Sequence, residues 1–194
     1  MRVNRGLFHV LATGASVVCL LSTMTVTLAA QRDAARIRIK NFGCINENFY
    51  RGAQPRESDY ADLSAAGVKT VIDLQEDGEA REQQLVEAAG MKFYRIGLSD
   101  SSWPSNEKAA QFLKLVNDPA NQPVFIHCHG GKHRAGAMTA IYRMTHDGWS
   151  ADRAYTEMKQ YDFESGFGHG ALRAYVYDYY SRNSQKGIAV AADK

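Results

Sequence analysis

The sequence predicts an α/β fold with a mainly parallel central sheet flanked by helices on both faces. Three observations carry this reading. Short apolar runs alternate with amphipathic stretches along most of the chain, and glycines close several of those stretches. One apolar run, VFIH, also leads without a break into a glycine-rich loop and a further helical segment. Strands that alternate with helices need crossover connections, which make neighbouring strands parallel and lay helices on both faces of the sheet.

Taken in order, IRIKNFGCI and NFYRG predict short β segments, and SDYADLSAAG predicts an amphipathic helix closed by Gly67. VKTVIDL is a buried strand, EAREQQLVEAAG a second helix closed by Gly90, and MKFYRIGL another strand. The loop SDSSWPSN opens the helix EKAAQFLKLV, and NDPANQP turns the chain into the strand VFIH. AGAMTAIYRM predicts a helix ended by Gly148. Ser150 caps ADRAYTEMKQ, ALRAYVYDYY is the last helix, and residues 181–194 read as a flexible tail.

A chain of 194 residues, 45% hydrophobic and 23% charged, suits one domain, placed here at residues 31–180. Arg2 and Arg5 are the only Lys, Arg, Asp or Glu residues among the first thirty. Without them the body is charge-balanced and offers no basic footprint for nucleic acid. Residues 1–30, with those arginines, an apolar stretch from Leu7 to about Leu21 and the small-residue ending at Ala29 and Ala30, read as a signal peptide. The expected location is therefore periplasmic or secreted. The alternative is an uncleaved signal, which would make this segment the chain's only membrane contact. Cys19 follows Val18, which does not suit lipid attachment. Cys44 and Cys128 remain as a pair in a compartment that permits disulfides. Cys44 reads as a buried thiol, with a redox partnership to Cys128 as the alternative.

The loop HCHGGKHRAG, residues 127–136, lies between the carboxyl end of a strand and the amino end of a helix, where backbone N–H groups and the helix dipole favour an anion. Cys128 and Arg134 have the spacing C-x5-R. A loop this short can wrap its amides round a tetrahedral oxyanion while Arg134 grips two of the oxygens, and Gly130 and Gly131 remove side chains that would block the approach. The same groups stabilise a thiolate, which makes Cys128 a nucleophile. His127 is expected to orient the loop.

The string His127-Cys128-x-x-Gly131-x-x-Arg134-x-Gly136 resembles the signature loop of the cysteine-dependent protein tyrosine and dual-specificity phosphatases, and GKHRAG is similar to their compact atypical members in plants, fungi and bacteria. NFYRGAQP, LSAAGVKTVIDL, QPVFIHC and DGWSADRAYTEM follow that family's order. The resemblance implies a tyrosine phosphatase-like fold. It also implies a phosphocysteine intermediate on Cys128, with phosphate held by Arg134 and by the loop residues His129, Gly130, Gly131, Lys132 and His133. The implied substrate is a phosphoprotein or an inositol phosphate, with no cofactor and no metal. Asp100, just past KFYRIGL, falls where the family carries its general acid. Asp118 is a second candidate that reads as a turn, and Asp73 reads as structural. The family usually has Ser or Thr after the arginine, and here that position is Ala135, which predicts a less favoured thiolate and slower turnover of the phosphoenzyme. Lys132, His129 and His133 predict a cationic floor suited to substrates with several phosphates; the alternative is that they point to solvent and the enzyme accepts assorted aryl phosphates.

Two other classes compete. His127, Cys128, His129 and His133, with His169, are metal-ligand types, but neighbouring side chains in a tight loop diverge. A non-catalytic phosphate-binding module is the second, against which the intact Cys128 and Arg134 argue. A rhodanese also presents a cysteine loop, without requiring an arginine at this spacing. His169 reads as a loop residue.

Overall fold

The computed structural model describes residues 37–166 and 168–192. The segment read as a signal peptide lies outside these residues. Five strands form one sheet: β1 (Gly43–Asn46), β2 (Phe49–Ala53), β3 (Thr70–Gln75), β4 (Lys92–Leu98) and β5 (Val124–Cys128). Their order across the sheet is β1-β2-β5-β3-β4, and every pairing is parallel except that of the edge hairpin β1–β2. The helices are α1 (Asp59–Ala65), α2 (Glu82–Ala88), α3 (Asn106–Asn117), α4 (His133–His146), α5 (Ala151–Gln160) and α6 (Gly170–Ala192). No helix among the described residues is long and apolar enough to cross a membrane.

The predicted α/β sandwich is therefore present, with its layers set by the alternation of strand side chains. Val71 and Phe125 face one side, where Tyr60 and Leu63 of α1 and Val86 of α2 cover them. Ile72, Leu74, Val124 and Ile126 face the other, against Phe112 of α3, Met138 and Ile141 of α4 and Tyr175 of α6. A third cluster joins Ala137 and Ala140 of α4 to Ala154 and Met158 of α5 and Leu172 and Val176 of α6. Residues 134–142 of α4 are all buried as a result. That enclosure explains why its sequence is mostly small residues rather than a one-sided apolar stripe.

Glycines close the elements as the sequence implies, with Gly67, Gly90 and Gly148 all at positive φ, and the Ser150 side chain caps α5 by accepting from the Arg153 N–H. Two boundaries differ. Residues 37–42 form no strand, because Asn41 takes φ 53° and turns the chain out of extended geometry, while Ile37 and Ile39 are spent on the α1–α2 core. At the other end α6 continues past Ser181 to Ala192, through a run without proline that the sequence reading assigned to a tail.

Candidate active site

β5 is the middle strand, so its carboxyl end is supported on both sides. Ala53 of β2 pairs with Cys128, and Asp73 of β3 pairs with His127. The chain leaves β5 at Cys128, crosses residues 129–132 and enters α4 at His133. Gly131 takes φ +65°, and a Cβ there would lie 2.5 Å from the Gly52 carbonyl carbon and the Ala53 nitrogen. Only glycine fits this contact between the loop and β2. The Gly131 N–H returns to the Cys128 carbonyl at 3.3 Å, whereas the amides of His129, Gly130 and Lys132 have no backbone acceptor among the described residues. Such amides at a helix entrance form an anion seat.

Arg134, in the first turn of α4, is only 9% exposed. Its Nη1 donates to the Leu98 carbonyl at 3.3 Å and lies 3.8 Å from an Asp77 oxygen, while its Nε has no protein partner. A buried guanidinium with an unspent donor beside an anion seat suits an oxyanion ligand.

The loop is held from below as well. Arg51 of β2 is fully buried, donates through Nη2 to the Gly131 carbonyl and stacks on the Tyr161 ring at 4.1 Å. Burial pulls its guanidinium down to about 10, with the Cys128 sulfur and Tyr161 acting the other way, so it stays charged at neutral pH. Asn41 donates to the Gly130 carbonyl at 2.8 Å, and the Gln54 amide to the His129 carbonyl at 3.3 Å.

Strand alternation sends His127 to the opposite face from Cys128. Its Nε2 lies 2.8 Å from Glu82 Oε1 and its Nδ1 3.9 Å from Asp73 Oδ1, all three side chains being fully buried. Burial alone would raise the Glu82 carboxyl, but His127, Tyr60 and Gln54 hold it below the ordinary carboxylate range. Asp73 pairs with Arg95 at 2.7 Å and accepts from the Gln75 amide at 2.9 Å. Glu82 also accepts from the Tyr60 hydroxyl at 2.9 Å. These three residues are close enough to share a metal ion; Asp73 and Glu82 Oε1 are engaged by Arg95, Gln75 and Tyr60 in the buttress of β5, while Glu82 Oε2 has no hydrogen-bond partner among the described residues. His127, on the opposite face of the strand, is not available as a ligand alongside Cys128.

Cys128, His129, Gly130, Lys132, His133, Arg134 and Asp100 line one cleft of about 390 Å³, together with Lys40 and His169. Asp100 follows β4 in the loop before α3, across the cleft from the cysteine loop. Asp118 instead makes a turn, accepting from the Ala120 amide at 2.9 Å.

The family model described as a DSP-PTPase phosphatase fused to NAD+ kinase matches residues 24–170, more than half of the chain. The chain belongs to this DSP-PTPase family. It is 28% identical over 130 residues to the inositol diphosphatase SIW14 of Saccharomyces cerevisiae, covering 64% of this chain and 46% of that protein. It thus spans about half the length of this curated relative. The solved catalytic core of SIW14 from S. cerevisiae, in complex with citrate, superposes with a TM-score of 0.65 at 24% identity, covering 80% of this chain and 94% of that one. TpbA of P. aeruginosa, solved with phosphotyrosine, gives a TM-score of 0.61 at 23% identity over 70% of this chain and 82% of that one. At these identities the two structures show the shared fold.

Within the DSP-PTPase family's loop, Ala135 is fully buried and supplies no hydroxyl. The charge of the floor also departs from expectation. Burial, the neighbouring His169 and Lys132 pull the His133 imidazole down to about 4, so it is neutral at pH 7 and the predicted cationic role falls to Lys40, Lys132 and Arg134.

Cys44 is exposed on the edge strand rather than buried, its outward direction fixed by alternation with the buried Gly43 and Ile45. It pairs with Tyr50, which pairs with Phe125, three residues before Cys128. Two strand spacings across and three residues along put the two cysteines about 14 Å apart, beyond disulfide reach. Sequence reading missed Lys40, Arg51, Glu82 and the approach of His169. Only the NFYRG stretch carried a signal, since an arginine inside an otherwise buried strand needs a partner.

Proposed function

We propose that this DSP-PTPase hydrolyses phosphomonoesters through a cysteinyl-phosphate intermediate, with phosphotyrosine or other phosphoprotein substrates as the first reading. The observation that carries it is the seat made by Cys128 at the tip of β5, the free amides behind it and the buried Arg134 with an unspent Nε. In this reading the phosphate oxygens take those donors. The Cys128 thiolate attacks phosphorus, an S–P bond forms as the ester P–O bond breaks, and Asp100 gives its proton to the departing oxygen. Water then attacks the phosphocysteine, the S–P bond breaks, and Asp100 takes the proton that water loses. Neither step calls for a cofactor or a metal ion.

A second reading, inositol polyphosphates or phosphoinositides, is supported by Lys40 and Lys132 at the cleft and by the similarity to an inositol diphosphatase. Export to a periplasm or the exterior is the accompanying proposal, supported by Arg2, Arg5 and the apolar stretch after them.

Inorganic phosphate release across phosphotyrosine, phosphoserine and inositol phosphate panels tests both readings. Activity is expected to vanish in Cys128→Ser, and the alkaline limb of the pH profile to disappear in Asp100→Asn. Phosphate binding without release in the unaltered chain would instead mark a binding module.

A further inference from the structure

The segment between α5 and α6 is glycine-rich and reads from sequence as a turn, yet it reaches the loop that carries Asp100 at two points. Gly168, at φ +94°, faces the Ser101 side chain. His169 Nδ1 lies 3.0 Å from the Asp100 carbonyl oxygen. A carbonyl only accepts, so Nδ1 carries the proton in this contact.

The His169 ring has a second anchor. It stacks on His133 with centroids 3.5 Å apart and planes 14° from parallel, and His133 meets the edge of Phe163 at 5.3 Å. His133 is the first residue of α4, next to Arg134. The contacts therefore run from the helix that presents Arg134, through two imidazoles, to the backbone of Asp100. The Asp100 carboxyl is not consumed by them.

Among the described residues, this loop is otherwise tied at its ends. Arg134 holds the Leu98 carbonyl at 3.3 Å, and Trp103 meets Tyr175 edge-on at 5.9 Å. Between those ends Ser99 and Ser101 bond each other at 3.2 Å, which fixes the local turn but not its distance from the cleft.

We infer that His169 is a positioning residue, which holds the Asp100 loop at working distance from Cys128 through the hydrogen bond to the Asp100 backbone. The inference rests on the reading of Asp100 as the general acid. A misplaced acid costs most where the leaving oxygen most needs a proton, and little where the leaving phenol departs readily as an anion.

Two substrates and three variants separate the possibilities. Phenyl phosphate has a weakly acidic leaving phenol, and difluoromethylumbelliferyl phosphate a strongly acidic one. His169→Phe keeps a ring for stacking but no donor, and is expected to lower kcat/KM, which reports the step that expels the leaving group, about tenfold on phenyl phosphate, within what a general acid supplies, with a much smaller loss on the activated ester. His169→Asn keeps a donor near the Nδ1 position without the stack, and is expected to recover most of that loss. Asp100→Asn should show the same leaving-group dependence, only larger. Equal losses on both substrates in His169→Phe, or no recovery in His169→Asn, would overturn the positioning role while leaving the acid in place if Asp100→Asn remains selective. An unselective Asp100→Asn would remove the acid and this inference together. Melting temperatures of all three variants show whether a loss reflects unfolding.

Discussion

Arg51 and Gly131, eighty residues apart in sequence, meet beneath the cysteine loop, where the buried guanidinium donates to the glycine carbonyl. The Arg51 Nε and Nη1 find no protein partner among the described residues, so this charge is kept at a cost to stability. Arg51→Met, similar in length and apolar, should leave the melting temperature unchanged or raise it. The kcat for phosphate release should fall by roughly one to two orders of magnitude as the preorganised loop loses its floor. A lower melting temperature with unchanged kcat would show Arg51 to be scaffolding alone.

Gly131 is the other half of that contact. Its left-handed φ and the backbone atoms of Gly52 and Ala53 at 2.5 Å leave no room for a methyl group, and backbone cannot move aside as a flexible side chain can. Gly131→Ala should cost about 2–4 kcal/mol in urea unfolding and abolish phosphate release. Gly130→Ala, where a Cβ would meet only the Lys132 side chain at 3.5 Å or more, is the control and should stay folded.

Glu82 gives a pH signature. Its carboxyl is depressed in the folded state, so its contribution to stability is complete above the unfolded value of about 4.3 and fades as pH falls through the lower folded value. Urea midpoints of the wild type and Glu82→Gln should therefore differ most above about pH 5 and converge in acid. A constant gap across pH would mean that packing, not the contacts of the Glu82 carboxylate, is what the substitution removes.

Ala135→Ser supplies the hydroxyl that this chain lacks beside Arg134. The site is wholly buried, and one added oxygen is the smallest change that tests it. Rapid-quench measurements should show faster breakdown of the phosphocysteine and a smaller burst relative to steady state. An unchanged burst would place the slow step elsewhere.

Cys44→Ser should leave kcat and its response to oxidant unaltered, since the edge-strand thiol is out of reach of Cys128. Peptide mapping of oxidised protein checks this directly. A Cys44–Cys128 crosslink would contradict the strand register.

Most of the fold was legible because its signals are local. Glycines at positive φ closed α1 and α2, Ser150 capped α5, and the C-x5-R spacing announced itself within seven residues. What escaped was whatever depends on strand order. Nothing near Arg51 says that β2 lies beside β5, nothing near Glu82 says that His127 will sit over the start of α2, and nothing in GFGHG points across the cleft to Asp100. Cys44 was misread because a four-residue edge strand offers too short an alternation to tell its inward face from its outward one. The charge of His133 was misread because burial, which sequence does not display, decides whether an imidazole is protonated.

The place of β5 between β2 and β3 also governs when the molecule can assemble during synthesis. The hairpin β1–β2 and the pair β3–β4 emerge first, but the strand that joins them is made only when residues 124–128 leave the ribosome. Until then each half presents an open parallel edge with nothing to bridge it, a state prone to mispairing with other chains. The nucleophile sits on the last residue of that joining strand, so the sheet closes and the cysteine arrives in a single event. A chain cut short before Val124 would lack both its catalytic sulfur and the strand that unites its two halves.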